Sequence, residues 1–270
     1  MPQPQTGQYS LATGEAAVRR LNLLHKTYGP GGRNLLLQAG LKPGMQAADL
    51  GCGVGATTRG LAEMVGPTGR VTGVDVSAPQ IEQAGQACAA AGHTNVTFVE
   101  ASAAATGLPR NSFDLVYCRF LLLHLVDPAD CLREMRELLK PGGILAIEDG
   151  DLTSAGSLPP GPQNSFADLF GRLGPTRGLD YAMANSLVPL VAAAGFPEPN
   201  LQLNQPVALR GEDRYLLNWS VKEAAPAFVA EGLLTQAEMD ATIDAMDKES
   251  RDGNSVILMP RMFQVWARKP

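Results

Sequence analysis

Long apolar runs are missing from this chain. No stretch approaches the roughly 18 residues that a membrane-crossing helix needs, and the polar, glutamine-rich start from Met1 to Leu11 has neither the positive charge nor the apolar middle of an export signal. The expectation is an unexported, unanchored, cytoplasmic chain. Cysteine is scarce and scattered: Cys52, Cys88, Cys118 and Cys131 form no CxxC pair, and only His25, His93 and His124 could join them. Metal-ligand spacing is therefore absent, no metal is expected, and a reducing compartment is the simplest reading. Surplus positive charge is lacking too, with 22 Lys and Arg against 27 Asp and Glu and a net charge of -5, so nucleic acid is not an expected partner. What is present is a 270-residue chain, 45% hydrophobic, with enough material for one substantial core. That excludes a disulfide miniprotein, a collagen and a disordered tail; the choice between monomer and homodimer stays open.

From Met45 onward short apolar runs alternate with amphipathic helical ones, the pattern of βαβ units around a parallel sheet. Strands are expected over 47–50, 70–74, 96–100, 113–118 and 144–148. Ser77 with Gln80 and Thr235 with Glu238 read as capping boxes, and Asp127 before Pro128 as a helix start. Glycine, proline and serine crowd residues 150–162, which read as a loop; Glu148, Asp149 and Asp151 cluster at its start, where one could serve as a base or polar anchor, the plainer reading being acids solvated in a polar loop. Further along, 185–194 reads as a helix, 201–209 as a strand and 256–267 as a last strand. An N-terminal helix over 9–28 leads to Gly29-Pro30-Gly31-Gly32, which reads as a hinge. The expectation is one α/β domain: a helical lid over 1–40, a core over 41–211, a helical cap over 212–254 and a last strand over 255–270.

The chemistry concentrates at Asp49-Leu50-Gly51-Cys52-Gly53-Val54-Gly55-Ala56. The glycine spacing satisfies the dinucleotide fingerprint GxGxxA, with Asp75 where that fingerprint expects its ribose-binding acid, so an NAD-linked oxidoreductase is one reading. Asp49 argues against it, because a carboxylate near the loop repels a pyrophosphate yet favours an ammonium group. With Asp49 included, the block resembles the E/D-x-G-x-G-x-G loop of class I S-adenosylmethionine (SAM)-dependent methyltransferases, in their small-molecule, UbiE-like branch. The likeness extends to Gly73-Val74-Asp75-Val76-Ser77, Asn111-Ser112-Phe113-Asp114-Leu115-Val116, the Arg119-to-Pro128 segment and Lys140-Pro141-Gly142-Gly143.

This resemblance implies a Rossmann-like, doubly wound, seven-stranded sheet, mostly parallel with one antiparallel C-terminal strand, and SAM as cofactor with S-adenosylhomocysteine as product. Asp49, Gly51, Cys52 and Gly53 would face the methionine moiety, Asp75 the ribose hydroxyls and Val76 the adenine. Ser102, beside Ala103, stands where relatives commonly have Asp. Arg119 would reach the methionine carboxylate or the adenosine edge. His124, Tyr9 and Asp149 are the candidate catalytic groups, set against the plainer readings of a core histidine, a packing tyrosine and a solvated acid. Tyr28 is a second candidate near the methyl group. The cap residues Trp219, Phe228, Met239 and Met246, with Met259 and Met262, are candidates for an apolar pocket wall. The implied activity is methyl transfer to O, N or C of a small hydrophobic or aromatic metabolite, in secondary metabolism; the alternative is a SAM-binding cyclase or accessory protein that transfers nothing.

Overall fold

The structure, a computed structural model, describes residues 15–270, with side chains from Val18 onward. Helix α1 (Glu15–Ala39) precedes the alternating core: β1 (Gln46–Leu50), α2 (Ala56–Val65), β2 (Arg70–Asp75), α3 (Ala78–Ala90), β3 (Val96–Glu100), β4 (Phe113–Arg119), α4 (Pro128–Leu138) and β5 (Leu139–Asp151). There follow β6 (Gly156–Leu158), α5 (Ser165–Thr176), α6 (Leu187–Ala193), β7 (Asn200–Asn204), β8 (Val207–Ala208), α7 (Leu216–Ala230), α8 (Gln236–Asp252), β9 (Val256–Leu258) and β10 (Arg261–Arg268).

The main sheet has the order β3-β2-β1-β4-β5-β10-β7. Pairing is parallel from β3 through β5, and β10 runs antiparallel between β5 and β7. The fold is thus a Rossmann-like seven-stranded sheet with one antiparallel strand. The chain leaves β1 toward β2 on one side and returns to β4 on the other, so a crevice opens at the carboxyl ends of β1 and β4, the place where open α/β sheets bind ligands.

The pleat divides the core. Leu115 and Tyr117 of β4 join Leu35, Leu61 and Val65 on the face under α1 and α2, whereas Val116 and Cys118 join Leu132, Phe166 and Phe228 on the other face. Central strands buried on both faces lose the polar alternation of an edge strand, which accounts for the continuous apolar texture of β4.

Several local expectations are corrected. Helix α1 does not break at Gly29-Pro30-Gly31-Gly32; it continues to Ala39 with Pro30 inside. Side chains at Gly31 and Gly32 would overlap Asn204 and Glu148, so these glycines let the helix approach the sheet rather than bend. Strand β5 runs on to Asp151, and the segment after it contributes β6 to a small sheet of order β6-β9-β8. The strand expected over 201–209 is divided between β7 and β8, and Met259-Pro260 separates β9 from β10. Ser77 makes no side-chain cap, whereas Thr235 and Glu238 form their capping box and Asp127 accepts from the Ala129 N–H.

Candidate functional site

A cavity of about 390 Å³ lies over the carboxyl ends of β1, β2 and β4. Its floor is the glycine loop. The N–H groups of Gly51 and Cys52 both donate to the Val74 carbonyl, at 2.8 and 3.0 Å, turning the chain sharply off β1. Gly51 holds φ 69°, and a Cβ there would press to 2.8 Å from the Leu121 side chain; only glycine meets both demands.

Asp75 ends β2 beside this loop. One carboxylate oxygen accepts the Gly53 N–H at 2.9 Å and the other the Ser77 N–H at 3.0 Å. Each oxygen retains a second lone pair, and Asp75 lines the cavity. Val76, next along, also lines it and is 59% exposed, an apolar surface open to a planar ring. Ser102 and Ala103 close the same end. The Ser102 hydroxyl accepts the Ala104 N–H at 3.2 Å, which leaves its own proton to donate.

Arg119 ends β4 and lines the opposite wall. Its guanidinium lies 3.1 Å from His25 Nδ1 of α1. Burial, then the charges of Arg119 and Arg59, push the His25 pKa down to about 4, so at neutral pH the ring accepts a hydrogen bond from Arg119. Among the described residues no carboxylate lies within ion-pair distance of Arg119, which argues against the surface ion pair that was its plainer reading.

Three expectations about acids and tyrosines change. Asp49 does not reach the cavity wall: it is buried behind the glycine loop, accepts the Thr58 hydroxyl at 2.6 Å, and burial raises its pKa to about 7. Asp49 is thus tied to Thr58 of α2 and makes no direct contact with the cavity. Asp149 is not in a polar loop but inside β5, fully buried, where it accepts the Leu122 N–H at 2.7 Å and the Gly150 N–H at 3.1 Å. Burial lifts its pKa to about 7 as well, against those amides. Its observed role is to hold the 3-10 turn Leu122–His124, and it is absent from the cavity wall. Tyr28 lies behind that wall, fully buried, donating to the Pro260 carbonyl at 2.8 Å. Tyr9 lies outside the described residues.

His124 does line the cavity, edge-on to Tyr181 with ring centroids 6.2 Å apart. Burial, aided by the charge of Arg20, pushes its pKa down to about 4, so the ring is neutral at pH 7. The rest of the chamber is largely apolar, with Leu21 and Leu24 from α1, Phe166 and Phe170 from α5, and Leu216 and Leu217 from α7, interrupted by Arg20 and Ser220. The expected cap residues lie elsewhere: Phe228, Met239, Met246, Met259 and Met262 are fully buried in the core, and Trp219 carries Arg19 over its ring at 4.6 Å.

Sequence reading missed α5 entirely, although Phe166, Leu169, Phe170 and Leu173 fall at the i, i+3, i+4, i+7 spacing of a helix face. It also missed Thr58, whose partner Asp49 lies nearby in the chain, and His25 and Arg20, whose partners Arg119 and Glu223 are distant.

Sheet order, glycine loop, strand-end acid and a cavity at the switch point are those of a Rossmann-like domain with a candidate nucleotide site. Residues 48–147 match the family described as methyltransferase domain. The chain is 34% identical over 111 residues to the ubiquinone/menaquinone biosynthesis C-methyltransferase UbiE of Hahella chejuensis, covering 41% of this chain and 45% of that protein. It is 35% identical over 127 residues to the demethylmenaquinone methyltransferase of Staphylococcus aureus, covering 47% and 51%. The chain thus spans about half the length of the relatives it matches. A SAM-dependent methyltransferase from Aquifex aeolicus shares the fold with a TM-score of 0.56 at 18% identity, covering 96% of this chain and all of that one.

Proposed function

We propose that the protein transfers a methyl group from SAM to a small apolar or aromatic acceptor held in the cavity over the sheet. The observation that carries this is the two-ended cavity: donors and acceptors suited to a nucleoside at one end, leucine and phenylalanine side chains at the other. The residues fit the cofactor. Asp75 accepts from the ribose hydroxyls, Val76 packs on adenine, and Ser102 with Ala103 bounds the ring. Arg119 supplies the positive charge for the methionine carboxylate, and the bare backbone of Gly51 leaves room beneath.

SAM supplies an electrophilic methyl carbon on a positively charged sulfur, which becomes a neutral thioether when the methyl leaves. The chain's work is alignment and water exclusion. Leucines of α1 and α7 and phenylalanines of α5 shield the reacting atoms from water. Where the acceptor atom carries a proton, neutral His124 receives it; Asp149 acts at one remove, fixing the turn on which His124 sits. Asp49 supports the loop and helix α1 serves as the lid. The relatives are named for quinone biosynthesis, in keeping with a ring-bearing acceptor.

Incubation with SAM labelled in the methyl group and a panel of apolar phenols, amines and enols tests this. The expected result is label in a product one methylene heavier than its acceptor. SAM binding without transfer to any member contradicts it.

A further inference from the structure

The apolar end of the cavity contains one expensive feature. Arg20 of α1 lines the chamber, and its Nε donates to Glu223 of α7 at 2.8 Å, with the two side chains only 4% and 8% exposed. Taking two charges out of water is costly, and well-packed hydrophobic residues often serve stability equally well. The pair is therefore poorly explained as a stabilising contact. The neighbouring latches between α1 and the segment before α7, Arg19 with Glu212 and Lys26 with Asp213, are solvent-exposed and already tie the helix down.

A guanidinium has five N–H donors in a planar fork. Glu223 engages Nε, and among the described residues nothing accepts from the two terminal nitrogens. They carry four further donors on a residue that lines a largely apolar chamber, whose other polar side chains at this end are His124 and Ser220, and Arg20 is close enough to His124 for its charge to help hold that ring neutral. Neither terminal nitrogen is among the fully buried polar atoms that lack a partner, so they keep access to water, which a ligand oxygen in the cavity could replace.

We propose that Arg20, held in place by Glu223, anchors an oxygen of the methyl acceptor, so that the site selects apolar molecules carrying a hydroxyl or carbonyl oxygen over pure hydrocarbons of the same shape. Because Glu223 neutralises the pair, the anchor suits a neutral or weakly acidic oxygen better than a fully charged group. This rests on the methyltransferase reading, since it places the acceptor in the same cavity.

The test uses the full chain saturated with S-adenosylhomocysteine and two ring probes of one shape, 2-naphthol and naphthalene, with binding read by fluorescence titration at pH 7. The wild type is expected to bind 2-naphthol about ten-fold or more tightly than naphthalene. Arg20→Met alone strands a buried carboxylate and can fail to fold, so the decisive variant is Arg20→Met/Glu223→Leu, which removes both charges. It is expected to keep S-adenosylhomocysteine and naphthalene binding and to lose the preference for naphthol. Equal affinities in the wild type, no naphthol binding, or a preference that survives in the double variant overturns the anchor alone. Failure of the wild type to bind S-adenosylhomocysteine overturns the methyltransferase reading and the anchor with it.

Discussion

The carboxylate of Asp75 accepts the backbone N–H of Gly53 at 2.9 Å, so the acid that ends β2 also shapes the loop that follows β1. The proposed ribose recognition and the loop geometry would thereby be coupled. Asp75→Ala removes the charged acceptor and should weaken S-adenosylhomocysteine by about 1.5–3 kcal/mol, roughly 10- to 150-fold, with Asp75→Asn in between. Calorimetric titration measures this; an unchanged dissociation constant removes Asp75 from the site.

The glycines of α1 make a second prediction. Ala at Gly31 or Gly32 would collide with Asn204 or Glu148, whereas Ala at Gly29 meets only His25 at an ordinary 3.5 Å. Gly31→Ala and Gly32→Ala should each cost about 1–3 kcal/mol by overpacking, while Gly29→Ala should be neutral or gain up to about 1 kcal/mol from helix propensity. Denaturant unfolding distinguishes close packing from a hinge: equal effects at all three positions would contradict the packing account.

Asp49 and Thr58 give a pH-dependent prediction. The folded-state pKa of Asp49 is about 7, above the 3.8 of a free side chain, so between these values the folded protein keeps a proton that the unfolded chain has lost. Stability from this group therefore falls as pH rises through that window. Thr58 donates to the carboxylate and limits the loss. Thr58→Val should destabilise by about 1–3 kcal/mol at pH 8 and by less at pH 5. A penalty independent of pH would sever the link to Asp49 ionisation.

The proposed role of His124 makes a prediction for the pH–rate profile. With its pKa pushed down to about 4, the ring is already neutral across pH 5–9, so kcat/KM should show no acid limb near the usual histidine value of about 6.5. His124→Gln should lower kcat by about 10²- to 10⁴-fold and leave S-adenosylhomocysteine affinity nearly unchanged. An acid limb at 6.5 that vanishes in the variant would show that the ring titrates normally.

Much of the sheet and of the glycine-loop end of the cavity was legible because both depend on neighbours in sequence: a strand, a glycine turn and a helix within 46–65, and an acid at the end of the next strand. The acceptor end was not, because it is assembled from α1, α5 and α7, which meet only in three dimensions. Asp149 shows the limit most clearly. Beside Gly150 and Asp151 it has the composition of a loop, yet pairing with β10 extends β5 past it and turns its carboxylate to the backbone of residues 122 and 150. Gly31 and Gly32 were misleading for the same reason, since their neighbours Asn204 and Glu148 are far along the chain.

The most direct test of the central claim is a calorimetric titration of the full chain with S-adenosylhomocysteine, with NADH in parallel. The account predicts micromolar, one-to-one binding of the homocysteine nucleoside and none of NADH. Binding of NADH alone, or of neither, would contradict it.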